Sequence, residues 1–340
     1  MAVGTAGRLW ARIGTGLAIA GAVGLGLVAM PAGAGAAPNL PPVSPEDLVA
    51  SVEKANPGPL AGTVELDNAL GLPAVPGVPE LANGTREARV WSDGAGKGRV
   101  ALPSDQGEKT FVSDGTTAWS YDSTDRTATK KTITPGEHRP EAADPTRSAA
   151  DAIARLRTTS TVSVDGTAEV AGRPAYELVL APTPTERTLL REVRIAVDSE
   201  KRIPLRLTVL ATGSADPAFE VGFTDITFGP QDASLFTFTP PPGTTVKDAP
   251  QGGPDRDETG GARPTVVGDG WDAVVIAKRP EQGQAPQGGP DLSRLGTPVN
   301  GSWGSGRLIT TAVASAIVTD DGRLAAGAVP EQVLTEALAK

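Results

Sequence analysis

From residue 62 to residue 240, apolar and polar side chains mostly alternate at period two, with turn residues breaking the runs. That spacing puts every second side chain on one face and predicts antiparallel strands, each with one buried side. Tyr176, Leu178 and Leu180 share a face, as do Val193, Ile195 and Val197. After a turn at 198–204 the same rhythm returns in Leu205, Leu207 and Val209, and then in Phe219, Val221 and Phe223, ahead of Phe236 and Phe238. Earlier in the chain, Phe111 leads into a Ser113-Asp114-Gly115 turn, and Trp119 and Tyr121 lie on one face of the strand that follows. The repetition predicts a single large meandering sheet.

Two segments switch to the helical period. Ser44 is placed as an N-cap, with Pro45 in the first turn and Asp47 as the acid of a capping box; Leu48, Val52 and Ala55 form one face until Pro57 and Gly58 stop the helix. Within the sheet region, Asp144 caps and Pro145 opens a second helix whose stripe is Ala149, Ala152, Ile153 and Leu156. This helix is expected to cover the concave side of the sheet. The fold class predicted is α+β, mainly β: a large curved antiparallel sheet with helices plugging it, followed by a small C-terminal α+β domain.

The boundary between the two follows from composition. Residues 247–264 are rich in Pro, Gly and Asp and cannot bury enough surface to fold alone, so they read as a linker. The heptapeptide Ala249–Asp255 recurs at Ala285–Asp291 without a hydrophobic anchor, as low-complexity spacer does. Residues 265–340 then give a strand around Trp271–Ala277, an apolar run at Leu308–Val318, an Asp320-Asp321-Gly322 hairpin turn, a strand at Leu324–Val329, and a closing helix from Pro330 with Val333, Leu334 and Leu338 inward.

The first residues change the picture of where this protein works. Arg8 and Arg12 precede the uncharged run Leu17–Met30 and the small residues of 31–37, the layout of a secretory signal peptide. The Ala34-Gly35-Ala36 triplet predicts cleavage after Ala36, so residues 1–36 are the signal segment and 37–246 the main domain. A retained anchor is the alternative, although the dense apolar core is shorter than the roughly 20 residues a spanning helix needs. An extracytoplasmic location is expected either way. The net charge of −9 becomes −11 without residues 1–36, which hold two arginines and no acid. Such a chain is a poor partner for nucleic acid. With no cysteine, disulfides, thiolate catalysis and N-terminal lipid attachment through cysteine are excluded.

Catalytic chemistry finds little to stand on. The single histidine, His138, sits in a charged, turn-rich loop, and no Gly-x-Ser-x-Gly elbow supplies a serine to pair with it. Gly94-Ala-Gly-Lys-Gly98 lacks the spacing of a phosphate loop and reads as a hairpin turn. Asp255, Asp257 and Glu258 lack the alternating pattern of a calcium loop. Asn83-Gly-Thr85 and Asn300-Gly-Ser302 match the glycosylation triplet but also suit turns. No enzyme, metal or cofactor is expected.

Four stretches nevertheless carry a resemblance: Ser113-Asp-Gly-Thr-Thr-Ala-Trp-Ser-Tyr121, Tyr176-Glu-Leu-Val-Leu-Ala-Pro182, Ile195-Ala-Val-Asp-Ser-Glu-Lys-Arg-Ile-Pro204 and Phe236-Thr-Phe-Thr-Pro-Pro-Pro-Gly243. In order and spacing, with their flanking helices, they resemble the LolA family of lipoprotein carriers and the related N-terminal domain of RseB, over about 45–246. The resemblance implies an incomplete barrel, plugged by helices, with an apolar cavity for acyl chains. It implies a lipid or an acylated protein as partner, or, in an RseB-like envelope-stress sensor, a membrane-embedded regulator. The candidate cavity wall is Trp119, Tyr121, Tyr176, Leu178, Leu180, Val193, Ile195 and Leu207. Any one of these would also serve as ordinary core beneath a helix.

Overall fold

The computed structural model describes residues 38–72, 83–104, 106–133, 145–249, 264–278 and 296–340. The predicted cleavage site after Ala36, the loop holding His138, the cap Asp144 and most of the 247–264 linker lie outside the described residues.

The first helix, α1 (Pro45–Lys54), starts as its residues dictate. Ser44 Oγ accepts from the Asp47 N–H at 3.1 Å and donates to the Asp47 carboxylate at 2.7 Å. Strands β1 (Leu60–Asn68), β2 (Gly84–Ser92), β3 (Gly98–Ser104), β4 (Gly107–Ser113), β5 (Thr117–Asp122) and β6 (Thr127–Thr132) follow. The second helix, α2 (Pro145–Leu156), then leads into β7 (Ser160–Val170), β8 (Arg173–Pro182), β9 (Leu190–Asp198), β10 (Pro204–Ala211) and β11 (Pro217–Phe228). A 3-10 turn at Ala233–Phe236 precedes the short strand β12 (Thr245–Asp248). The Gly94–Gly98 segment is the β2–β3 hairpin turn, held by Asp93 Oδ1 accepting from the N–H groups of Ala95 and Lys97 at 2.7 and 2.9 Å.

All twelve strands join one curved sheet in the order β12-β6-β5-β4-β3-β2-β1-β11-β10-β9-β8-β7. The sheet is open, because β12 and β7 are its two ends. It is not the single meander that the alternation suggested. Two meanders, β1 to β6 and β7 to β11, lie back to back and are joined by the antiparallel pair β1–β11, with Leu66 opposite Val221. Register shifts at Thr63/Val64, Val164/Thr167 and Val209/Leu210 mark bulges, each of which bends and twists its strand. β12 pairs parallel with β6 and carries the sheet through Asp248, two residues beyond the expected domain end at 246.

The β9–β10 turn is built on Asp198. Its carboxylate is fully buried, takes the N–H groups of Glu200 and Lys201 at 2.8 and 2.6 Å, and pairs with the Arg173 guanidinium. Burial opposes ionisation of this acid, yet the guanidinium and the two backbone donors together hold its pKa below the usual carboxylate range.

The second sheet contains β13 (Thr265–Val267), β14 (Val274–Lys278), β15 (Thr297–Gly301), β16 (Gly304–Thr310), β17 (Ser315–Thr319) and β18 (Arg323–Gly327), in the order β13-β14-β18-β17-β16-β15. Two details differ from the sequence reading. The apolar run Leu308–Val318 is divided by a turn into β16 and β17, and Trp271 lies in a 3-10 turn, Gly270–Asp272, ahead of β14 rather than in a strand. Helix α3 (Glu331–Leu338) starts after Pro330 and buries Val333, Leu334 and Leu338 against Val274, Ile317 and Ala325.

Candidate functional site

Residues directly opposite each other on neighbouring strands project from the same face, so registers sort the side chains into two sets. One row runs Val164, Leu178, Ile195, Leu207, Val221, Leu66 and Arg86, across β7, β8, β9, β10, β11, β1 and β2. Beside it runs Val162, Leu180, Val193, Val209, Phe219 and Asn68. Both helices pack on this face. Leu48 and Val49 of α1 and Ala149 and Ile153 of α2 join Tyr176, Leu178, Leu180, Val193, Ile195 and Val197 in one buried cluster, with Leu207 and Val209 partly buried at its margin.

Six of the eight candidate wall residues therefore come together: Tyr176, Leu178, Leu180, Val193, Ile195 and Leu207. Five of the six are buried beneath the helices, and Leu207 stays partly open. Tyr176 is pinned, its hydroxyl donating to the Pro41 carbonyl at 3.0 Å and its ring lying 5.1 Å from the Arg202 guanidinium.

Trp119 and Tyr121 do not join them. Tyr121 pairs with Thr110, and Trp119 with Val112; these continue through Ala101 and Arg99 to Arg89 and Trp91 on β2, whose side chains project opposite to Arg86, Ala88 and Val90. Both rings thus stand on the other face of the sheet. There they pack on Phe238, with ring centroids 5.4 and 5.5 Å apart, while Phe236 is buried with Val112, Ala101 and Ala128 also buried on that side. The chain after β11 crosses this face as a strap before it becomes β12.

The helix-bearing face does not end at α1 and α2. A further apolar cluster, Ala88, Val100 and Leu102 with Val90 and Phe111 partly buried, lies on β2, β3 and β4. Register places it on the same side as Leu66 and Val221. Periodicity signals these residues strand by strand, but nothing local tells which strands face the same way.

The opposite face of the β8–β10 region is ionic. Glu177 bonds Arg194 at 3.1 Å and Arg206 at 3.4 Å, and Arg194 also bonds Glu192 at 2.9 Å. Next to this ladder, Glu65 stands opposite Glu87 and Asp67 opposite Glu220. Partial burial, then the charges of Glu87, Asp67 and Glu220, push the Glu65 pKa upward. Along β8–β10 the outer face sets these ion pairs beside a small apolar cluster that includes Ala175, Ala196 and Leu205, whereas the helix-bearing face of the same strands is apolar.

One contributor to the apolar face comes from the second domain. Trp271 packs on the margin of the helix-covered cluster, and its indole N–H donates to Ser160 Oγ at 2.7 Å. Sequence reading placed Trp271 in a strand of the small domain and had no signal for this contact.

Among the described residues, no cluster of His, Cys, Asp and Glu is arranged to hold a metal, and no helix is long and apolar enough to cross a membrane.

No protein-family model and no curated protein matches the chain. Solved structures do. The chain is similar to Pseudomonas aeruginosa MucB, solved as a complex with MucA, at 16% identity over 86% of this chain and 96% of that one, with a TM-score of 0.45. It is also similar to a LolA-superfamily protein from Nitrosomonas europaea, at 12% identity over 58% of this chain and 99% of that one, with a TM-score of 0.25. A putative outer-membrane lipoprotein-sorting protein domain from Vibrio parahaemolyticus gives 10% identity over 56% and 95%, with a TM-score of 0.18.

Proposed function

We propose that this is an exported, non-catalytic protein that holds acyl chains of a lipid or a lipoprotein against the helix-bearing face of its large sheet. The observation that carries this reading is the extent of that face. Apolar rows run from β7 through β11 and β1 to the Ala88, Val100 and Leu102 cluster, whereas α1 and α2 pack on the β7–β10 half. A face that stays largely apolar past the helices, broken at the buried Asn68 and Arg86, suits a flexible apolar chain, and burying one is worth about 0.8 kcal/mol per methylene with no catalytic group needed. Leu66, Val90, Phe111, Leu207 and Val209, all partly buried on this face, are the proposed contacts.

The test is titration of the protein with a fluorescent long-chain fatty acid, alongside Leu66→Trp. Filling the face at Leu66 is expected to weaken binding several-fold with little change in melting temperature. A folded, unsubstituted protein that takes up no acyl probe would sink the proposal.

A second reading, an envelope sensor that passes its state to a membrane-protein partner, is supported by the second domain and its direct contacts to the first. Co-purification of one membrane protein, lost when residues 265–340 are deleted, would favour the sensor over a simple carrier.

A further inference from the structure

The β9–β10 turn and the residue that faces it across the sheet gather more positive charge than their acids use. Arg173, Lys201 and Arg202 meet there around Asp198 and Glu200. Both acids are engaged: Arg173 pairs with Asp198 and lies 3.3 Å from Glu200, and Lys201 lies 3.8 Å from Glu200. Arg173 and Lys201 also share the ring of Phe228, at 4.9 and 5.3 Å. Arg202 is left over. Among the described residues no carboxylate pairs with it, and its Nη1 is shut off from solvent without a hydrogen-bond partner. Leaving a buried donor in this state costs more than a typical hydrogen bond returns. The chain has 40 acids against 31 lysines and arginines, so the guanidinium does not stand alone for want of acids.

The guanidinium is also held in place. Arg202 has φ +57°, a left-handed backbone that residues with a side chain seldom adopt, and its N–H donates to the Asp198 carbonyl at 3.2 Å. Its guanidinium lies 5.1 Å from the ring of Tyr176, whose hydroxyl is itself tied to the Pro41 carbonyl. Tyr176 belongs to the buried cluster beneath the helices, so the guanidinium that lies against its ring stands at the margin of that apolar surface. Strand β10 leads from the turn to Leu207, a proposed acyl contact at the edge of the same cluster. Arg202 and Leu207 are five residues apart, a reach of at most about 17 Å. One leaflet's share of the roughly 30 Å bilayer core is about 15 Å, so a single acyl chain covers nearly all of that reach.

We infer that Arg202 holds the anionic head, a carboxylate or a phosphate, of an amphiphile whose acyl chain runs along β10 toward Leu207 and Val209. This rests on the acyl-binding reading and names the class of ligand: an acidic amphiphile in preference to a neutral one. A planar guanidinium presents paired N–H donors that match two oxygens of either group, and its flat face can stay on the Tyr176 ring while it does so. Arg173 and Lys201 are committed to Asp198, Glu200 and Phe228, which leaves Arg202 as the residue with donors to give.

The experiment titrates the full chain with a fluorescent long-chain fatty acid and with the alcohol of the same chain. The acid is expected to bind about tenfold more tightly, the return on a charge-assisted hydrogen bond. Arg202→Gly suits the left-handed backbone of the turn and removes the guanidinium; the preference for acid over alcohol is expected to collapse to about twofold or less. Should that variant not fold, Arg202→Asn, a residue that also accepts this conformation, carries the same test. Inorganic phosphate is expected to displace the acid only weakly. If phosphate binds as tightly as the acid, the chain adds nothing, the site is one for free anions, and the inference is overturned. An equal loss of affinity for acid and alcohol in a folded variant also overturns it, since Arg202 would then act only through the shape of the turn. Acid and alcohol bound alike by the unsubstituted chain overturn the head-group assignment and leave the acyl-binding reading standing. Binding of neither by the folded, unsubstituted chain overturns both.

Discussion

Strands β8 and β5 alternate apolar and polar side chains with the same rhythm, yet their large residues lie on opposite sides of the sheet. In β8, the residues Tyr176, Leu178 and Leu180 point under the helices. In β5, Trp119 and Tyr121 point the other way, under the strap that carries Phe238. The cause is that alternation fixes which residues of a strand share a face, whereas the side of the sheet on which that face lies depends on register with the neighbouring strand. One face is closed by a short covalent continuation of the sheet itself. The other is closed by helices and a residue from a second domain.

The comparison can be broken at its most buried points first. Phe236→Ala, in the strap, is expected to cost about 3–4 kcal/mol of stability, as is typical when a buried phenylalanine is truncated. Affinity for an acyl probe should be unchanged, so chemical denaturation and titration read together separate the two faces. A loss of affinity at constant stability would mean that the strap side, not the helix side, holds the ligand.

Asp198→Asn removes the charge that pairs with Arg173 while keeping the shape of the turn. A loss of about 2–3 kcal/mol is expected, a little below the range for a fully buried pair because Arg173 is partly exposed. The pH dependence has a fixed sign. The folded pKa of Asp198 is lowered, so its contribution is complete above an unfolded carboxylate value of roughly 3.9 and is lost as pH falls through the lower folded value. The difference in unfolding free energy between the two proteins should therefore shrink as the solution is acidified below about pH 4.

Leu178→Trp overfills a site that is 4% exposed under the helices and is expected to cost about 1–3 kcal/mol. Thermal unfolding checks the cost. A protein that tolerates the tryptophan without any loss would have spare volume beneath α2, and the acyl chain would then have room directly under the helix.

The smallest effect belongs to the ionic face. Glu65→Gln relieves the cross-strand repulsion with Glu87 and is expected to stabilise the protein by about 0.5 kcal/mol at neutral pH. Because the Glu65 pKa is raised, that gain should vanish once the pH is low enough to protonate it in the folded and unfolded chains alike.

Much of this was legible in the chain. Ser44 and Asp47 mark the start of α1, Ile153 and Ala149 mark the buried stripe of α2, and the Asp321-Gly322 turn lies between β17 and β18 as its residues require. Within the candidate site, the clustering of Leu178, Leu180, Val193 and Ile195 follows from adjacent hairpins, whose registers are local. Trp119 and Tyr121 show the same alternation, which carries no sign for the side of the sheet they face. The pairing that fixes their orientation passes through β1, which lies beside β2 on one edge and β11 on the other. Trp271 was out of reach for a different reason: an indole in a turn carries no periodicity, and its partner Ser160 is far away in the sequence.

The β1–β11 seam also has a consequence in time. Each meander on either side of it is made of hairpins between consecutive strands, which close quickly, whereas β1 cannot find β11 until almost the whole large domain has been synthesised. Loop-closure entropy makes such a long-range pairing late and slow. Until it forms, the two half-sheets each carry an unpaired edge, and the strand that leads the domain waits on one of the last to arrive.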